Sequence, residues 1–212
     1  MEGLCLIVSG GDFCPPPAEL CAPKHIIACD RGYLHARRLG LTPDLIVGDF
    51  DSAPPPRGAV SEVRRVPARK DDTDTMLAAR EALALGYRDV AVCCAFGGRL
   101  DHTLANLQTA AFLAERGCRV RLSGTDADAR VFTSGREAFP RREGWSLSVF
   151  ALSDRCEGVT LRGTAYECEN AALTNGFPLG VSNVWAAEEA AVGVARGTLL
   201  VLQSRLKKGE HI

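Results

Sequence analysis

Short apolar runs alternate with stretches of helical spacing through the first 123 residues. Residues 4–9, 25–29, 45–47, 63–66, 90–95 and 119–122 are such runs, each bounded by turn-forming residues, and they predict strands. Between them, residues 34–39, 73–85 and 101–116 carry the period of a helix. In the last of these, Leu104, Leu107, Ala111 and Ala114 recur at intervals of three and four, which predicts an apolar stripe with Asn106 and Glu115 off it. Gly40, Gly86 and Gly117 each close a helical stretch, as C-terminal glycine caps do. Strands alternating with helices predict a largely parallel sheet with crossover helices, and such sheets bind ligands outside the carboxyl ends of their strands.

From about Gly124 the helical period disappears. Residues 130–133, 146–152, 158–161, 183–186, 190–195 and 198–204 predict strands separated by Gly, Asn and Pro, too close in sequence for crossover helices. They must pair antiparallel. The expected fold class is therefore an N-terminal α/β domain (residues 1–130) followed by a smaller C-terminal antiparallel β-sandwich (residues 131–212).

Composition is consistent with this picture. A chain of 212 residues buries about 70% of its extended surface on folding, enough for a core without staples. With 46% hydrophobic and 24% charged residues, the chain is neither disordered nor membrane-spanning, and a net charge of −1 argues against a partner bound by bulk phosphate neutralisation. No nucleic acid and no membrane are expected as partners. The nine cysteines form no C-x-x-C pair, and the four histidines lie at no zinc-finger spacing from them, so reduced, structural thiols are expected. The first residues have no basic segment and no long apolar segment, which points to a cytoplasmic protein without a signal peptide. The carboxylates are distributed unevenly. Residues 1–123 hold 10 Asp and 5 Glu, whereas residues 124–212 hold 3 Asp and 8 Glu.

The excess aspartates fall at predicted strand ends. Residues 45–47 run into Gly48-Asp49-Phe50-Asp51-Ser52, and in an extended chain Asp49 and Asp51 point the same way. Such a pair either holds Mg²⁺, which takes carboxylates together with water and phosphate oxygens, or serves as turn and cap residues. Lys70-Asp71-Asp72-Thr73-Asp74 precedes the second helix. Asp72 is its expected N-cap and Asp74 suits the positive helix end, but three carboxylates exceed what one cap needs. Lys70, one of four lysines, is placed to balance them or to touch a phosphate. Phe96-Gly97-Gly98-Arg99-Leu100-Asp101-His102 opens the third helix with two glycines, free helical N–H groups and a guanidinium. It is a phosphate site by its chemistry, although no Walker loop occurs. A cleft for Mg²⁺ and a polyphosphate accounts for all three clusters at once.

In these segments the sequence resembles the thiamine pyrophosphokinase family. The resemblance is carried by Asp30-Arg31-Gly32, Pro43-Asp44 through Gly48-Asp49-Phe50-Asp51-Ser52, Lys70-Asp71-Asp72-Thr73-Asp74-Thr75, Gly97-Gly98-Arg99-Leu100-Asp101-His102 with Asn106, and Gly180-Val181-Ser182-Asn183, in the family's order. It implies transfer of the diphosphate of ATP to thiamine, giving thiamine diphosphate and AMP, in a homodimer with active sites between subunits. It further implies catalytic and metal roles for Asp49, Asp51, Asp74 and Asp101, ATP contacts at Asp30, Lys70, Asp71, Gly98 and Arg99, and thiamine contacts at Ser182 and Asn183. Trp185, two residues on, either covers the cationic thiazolium or fills the β-domain core. The family's Asp-Gly-Gly-Ala is here Asp30-Arg31-Gly32-Tyr33, so that Arg31 either contacts ATP directly or crowds the loop. Competing readings are an aspartyl-phosphate phosphohydrolase built on the D-x-D pair and a non-catalytic nucleotide sensor.

Overall fold

The computed structural model describes residues 2–50, 62–67, 71–207 and 209, and divides the chain into two compact units, residues 1–113 with 118–125 and residues 114–117 with 126–212. Asp51 and Lys70 lie outside the described residues.

In the first unit, β1 (Leu4–Val8), β2 (His25–Cys29), β3 (Leu45–Gly48), β4 (Glu62–Arg65), β5 (Asp89–Cys93) and β6 (Arg119–Ser123) form an all-parallel array in the order β6-β5-β1-β2-β3-β4. The chain builds outward from β1 to β4, then returns to the other side of β1. This reversal makes the carboxyl ends of β1 and β5 the switch point of the sheet, where α/β folds form a crevice. Strands covered on both faces lose the alternating pattern, and every residue of β1 is buried. The edge strand β4, Glu-Val-Arg-Arg, is exposed throughout, and its charges discourage further pairing. The helices are α1 (Gly32–Arg38), α2 (Asp74–Ala84) and α3 (Leu100–Ala114). The three expected glycine caps are present, with left-handed φ at Gly40, Gly86 and Gly117. Each is followed by an amide that reaches back into the helix, as Tyr87 N does to the Ala82 carbonyl at 3.0 Å.

Two details of the helices differ from expectation. Thr73, not Asp72, caps α2, its hydroxyl accepting from Met76 N at 3.2 Å. Asp72 instead accepts from Arg80 at 3.3 Å. The face that α3 buries is also rotated: Leu104 is 56% exposed, while Asn106, Thr109, Ala110 and Leu113 are buried. The Asn106 amide donates to the Ala95 carbonyl at 2.7 Å, and this polar tether turns the helix away from its apolar stripe.

The second unit is the expected β-sandwich. One antiparallel sheet runs β12-β9-β14-β7, from β7 (Ala127–Phe132), β9 (Trp145–Ala151), β12 (Gly180–Asn183) and β14 (Leu199–Arg205). The other runs β11-β10-β13-β8, from β8 (Gly135–Pro140), β10 (Arg155–Arg162), β11 (Cys168–Thr174) and β13 (Glu189–Val194). Phe139, Leu147, Val149, Val159, Leu161, Trp185, Val192 and Val201 fill the space between them. Strands β8 and β11 escaped the sequence pattern because each buries only one side chain, Phe139 and Leu173. The strand expected at 183–186 ends instead at Asn183, and Trp185 beyond it makes only an isolated bridge to Thr164.

All nine cysteines are free thiols, and Cys21 is the one in the exposed class. Burial, reinforced by the charge of Asp44, pushes Cys5 up to about 12. A thiol reagent is therefore expected to titrate about one fast equivalent per native chain, lost in Cys21→Ser, and all nine after unfolding. Several fast equivalents in the native protein would contradict this packing.

Candidate active site

A cavity of about 440 Å³ opens at the switch point of the first unit. Its floor is the end of β1, Ser9-Gly10-Gly11, and its walls are Cys29, Asp30 and Arg31 after β2, Thr73 to Thr75 at the start of α2, and Gly97 to Arg99 with His102 and Asn106 after β5. The floor is stitched to the β5 side by main-chain bonds from Ser9 N to Cys93 O at 3.0 Å, Gly11 N to Cys94 O at 3.0 Å and Asp12 N to Phe96 O at 2.8 Å. Only glycine fits at position 11. A Cβ there would come within 2.5 Å of both the Cys94 and the Phe96 carbonyl oxygens.

Three long-range contacts hold the acidic residues in place. Gly48 backs onto Asp30, whose Cα would lie 3.0 Å from a Cβ at Gly48, so Asp49 and Asp30 emerge from adjacent strand ends. Asp30 itself adopts a left-handed φ of 43°, a conformation costly for a non-glycine residue and most often kept where function needs it. One of its carboxylate oxygens, Oδ1, is buried without a hydrogen-bond partner. Asp74, the first residue of α2, is fixed through its main chain, its carbonyl accepting from Cys29 Sγ at 3.5 Å. The adjacent Thr75 hydroxyl meets the Ser9 hydroxyl at 3.1 Å. Burial and the Asp74 charge raise the Cys29 thiol far above its ordinary range, so it serves as a neutral donor.

Of the residues singled out in sequence, Asp30, Asp74, Gly98 and Arg99 share this cavity. Asp101 is exposed beside it and receives Arg99 Nε at 3.1 Å. The Arg99 bond holds the Asp101 carboxyl below its usual range. Asp49 is half-buried at the end of β3, and Asp71 is exposed before α2. Ser9, Cys29, Thr75 and Asn106 were not recognised as site residues. Thr75 and Asn106 carry a signal, their fixed places in the Lys70–Thr75 and G-G-R-x-D-H-x-x-x-N segments, whereas Ser9 and Cys29 become site residues only through contacts distant in sequence.

A carboxylate oxygen left bare in a cavity with a second carboxylate and a guanidinium suits a cation and an anion together. Mg²⁺ takes one or two carboxylates and leaves its other positions to water and phosphate. Asp30 and Asp74 are the two carboxylates of this lining, which matches that mode.

In the second unit, a mainly apolar cavity of about 320 Å³ is lined by Leu161, Tyr166, Leu173, Leu179, Val181 and Asn183, among others. Ser182 beside it is exposed, with a left-handed φ of 60° and its amide donating to Ser148 Oγ at 3.0 Å. The Asn183 side chain is spent internally. Its Oδ1 accepts from Tyr166 N at 3.0 Å and its Nδ2 donates to Tyr166 O at 2.7 Å, which fixes the rim of the cavity. Trp185 is a core residue, buried, with its indole N–H donating to Phe139 O at 2.8 Å. It belongs to the core cluster of the unit, which favours the second of its two expected roles, that of a core aromatic.

Comparison with known proteins gives a family match for each unit. The family model "Thiamin pyrophosphokinase, catalytic domain" matches residues 19–122, and "Thiamin pyrophosphokinase, vitamin B1 binding domain" matches residues 138–199. The thiamine pyrophosphokinase of Bacillus subtilis is 27% identical over 189 residues, 84% of this chain and 86% of that protein. A thiamin pyrophosphokinase family protein from Enterococcus faecalis, of known structure, is 30% identical, with a TM-score of 0.78 over 97% of this chain and 100% of its own. The B. subtilis enzyme structure aligns with a TM-score of 0.83 over 95% of this chain and 99% of its own at 24% identity, a likeness of fold.

Proposed function

The chain belongs to the thiamine pyrophosphokinase family, and from that premise we propose that it transfers the diphosphate of ATP to the hydroxyethyl group of thiamine. The hydroxyl oxygen bonds to the β-phosphorus, the bond from that phosphorus to the α,β-bridging oxygen breaks, AMP leaves, and the hydroxyl proton is released. The observation that carries this reading is the switch-point cavity, where Asp30 and Asp74 face a glycine floor and Arg99.

Asp30 and Asp74, which share the cavity, would hold Mg²⁺ together with phosphate and water oxygens, and Asp49, Asp51 and Asp101 are the further carboxylates we place around it. The metal supplies charge neutralisation on the phosphates when bound. Residues Gly97, Gly98 and Arg99 hold and orient the polyphosphate, with Lys70 and Asp71 as further ATP contacts, and catalysis rests on positioning and electrostatics.

We place thiamine against the second unit, at Ser182 and the apolar cavity whose rim Asn183 fixes. Tyr166, Phe177, Leu179 and Val181 are large apolar residues exposed in that unit, and Leu100 and Leu104 are exposed on α3. Exposed apolar groups of this extent suit an interface, which supports a homodimer whose thiamine sites lie between subunits. No described helix is long and apolar enough to cross a membrane, and ATP as co-substrate suits a cytoplasmic enzyme.

Incubation with Mg-ATP, with and without thiamine, tests the reading. AMP and thiamine diphosphate are expected in equal amounts, and only when thiamine is present. Phosphate release from a phosphomonoester without AMP formation would instead indicate an aspartyl-phosphate phosphohydrolase. ATP binding with no AMP formed, whatever the acceptor, would indicate a sensor.

A further inference from the structure

We propose that Arg31 contacts the polyphosphate of ATP, a role that rests on the reading above and that the family's Asp-Gly-Gly-Ala pattern does not supply. Arg31 follows Asp30, whose left-handed φ of 43° turns the chain sharply at the end of β2. Gly32 then sits so close to the Val8 carbonyl that the turn is pressed down on the end of β1. The Arg31 stem leans the same way: its Cγ lies 3.7 Å from where a Cβ on Gly10 would be, over the cavity floor. The side chain is therefore part of the cavity lining.

Its charge is also available. Arg99, the other arginine of the lining, gives Nε and Nη2 to Asp101. Arg80, in the second turn of α2, is paired with Asp72. The Arg31 side chain has no hydrogen bond or ion pair with any described residue, although Asp30 and Asp74 line the same cavity. A guanidinium that shares a cavity with two carboxylates and bonds to neither is available for an anion brought from outside, and its fork of donors matches phosphate oxygens.

Strand order gives the two cations different places. β1 lies between β5 and β2, so Arg99 approaches the glycine floor from one flank and Arg31 from the other. The flanking strand ends are about 10 Å apart at the usual strand spacing. An extended triphosphate reaches across such a gap and a single phosphate does not, which favours a polyphosphate as the ligand.

The test compares wild type with Arg31→Met and Arg31→Lys in the full chain. For Arg31→Met, the KM for ATP and the inhibition constant of inorganic tripolyphosphate are both expected to rise at least about tenfold, or about 1.4 kcal/mol. The KM for thiamine and the melting temperature should stay unchanged, because Arg31 is exposed. Arg31→Lys, keeping the charge but losing the fork, should recover part of the loss. ATP and tripolyphosphate constants within twofold of wild type in Arg31→Met would overturn the proposal and leave Arg31 a solvated arginine. Calorimetric binding of tripolyphosphate separates this outcome from failure of the reaction reading. If wild type forms no thiamine diphosphate, tighter binding by wild type than by Arg31→Met still supports the contact, and equal binding removes it.

Discussion

Asp74→Asn is expected to lower the rate of thiamine diphosphate formation at least about a thousandfold, whereas Asp72→Asn should leave it within about threefold. The two residues are separated only by Thr73, and each has an innocent explanation as a charge near the positive end of α2. Structure separates them. Asp72 is spent on Arg80 at 3.3 Å and is not part of the cavity lining. Asp74 lines the cavity, and its main chain is pinned by Cys29 Sγ and, through Thr75, by Ser9. Those bonds do not involve the Asp74 carboxylate, and Thr73 supplies the cap. Asn keeps the shape and removes the charge, so the helix should persist with a loss of about 0.3–1 kcal/mol from the helix-dipole term. Turnover measured at saturating Mg-ATP and thiamine, beside circular dichroism of both variants, decides the matter. Asp74→Asn active within tenfold of wild type would remove Asp74 from the metal and phosphate set.

Much of this site was legible in the sequence, because the features that announce it are local. Apolar runs ending in Gly and Asp mark strand ends, and strand ends are where α/β sheets gather ligands, so Asp74, Gly98 and Arg99 stand out from their local pattern, while Asp30 stands out only through the family resemblance. What stayed hidden depends on contacts between distant residues. Nothing local to Gly48 says that it backs onto Asp30, or to Ser9 that it meets Thr75. The Asp72 cap was misassigned because Asp and Thr both serve at that position, and only the Met76 amide shows which one does. The buried face of α3 was misjudged because Asn106 counts as polar in any periodicity, yet its bond to Ala95 makes it the residue that docks the helix. Strands β8 and β11 were missed for the converse reason. With one buried side chain each, they carry almost no hydrophobic pattern.

Gly32→Ala is expected to lower the melting temperature by about 5–10 °C and to raise the KM for ATP, although alanine is the better helix former. The reason is space. A Cβ at Gly32 would collide with the Val8 carbonyl oxygen and lie 2.9 Å from both Ser9 O and Val8 C. These are backbone atoms at the end of the fully buried strand β1, and no rotamer change removes them. Helix α1 must therefore lift from the sheet, loosening Tyr33 and Ala36, which it buries there. Overpacking of this kind costs about 1–3 kcal/mol, and contact with main chain puts it at the upper end. Because Asp30 and Arg31 lead directly into α1, the same displacement moves both within the cavity, and the loss of stability should appear together with a loss of ATP affinity. Gly40→Ala provides the contrast. Its φ of +70° makes a Cβ costly, by about 1–2 kcal/mol, but nothing lies within 4 Å of that Cβ. It should therefore destabilise the chain and leave the KM for ATP unchanged. Differential scanning calorimetry and ATP saturation curves on the two variants separate a crowded glycine from a merely left-handed one. A Gly32→Ala protein that melts and binds ATP as wild type does would mean that α1 does not set the position of the cleft.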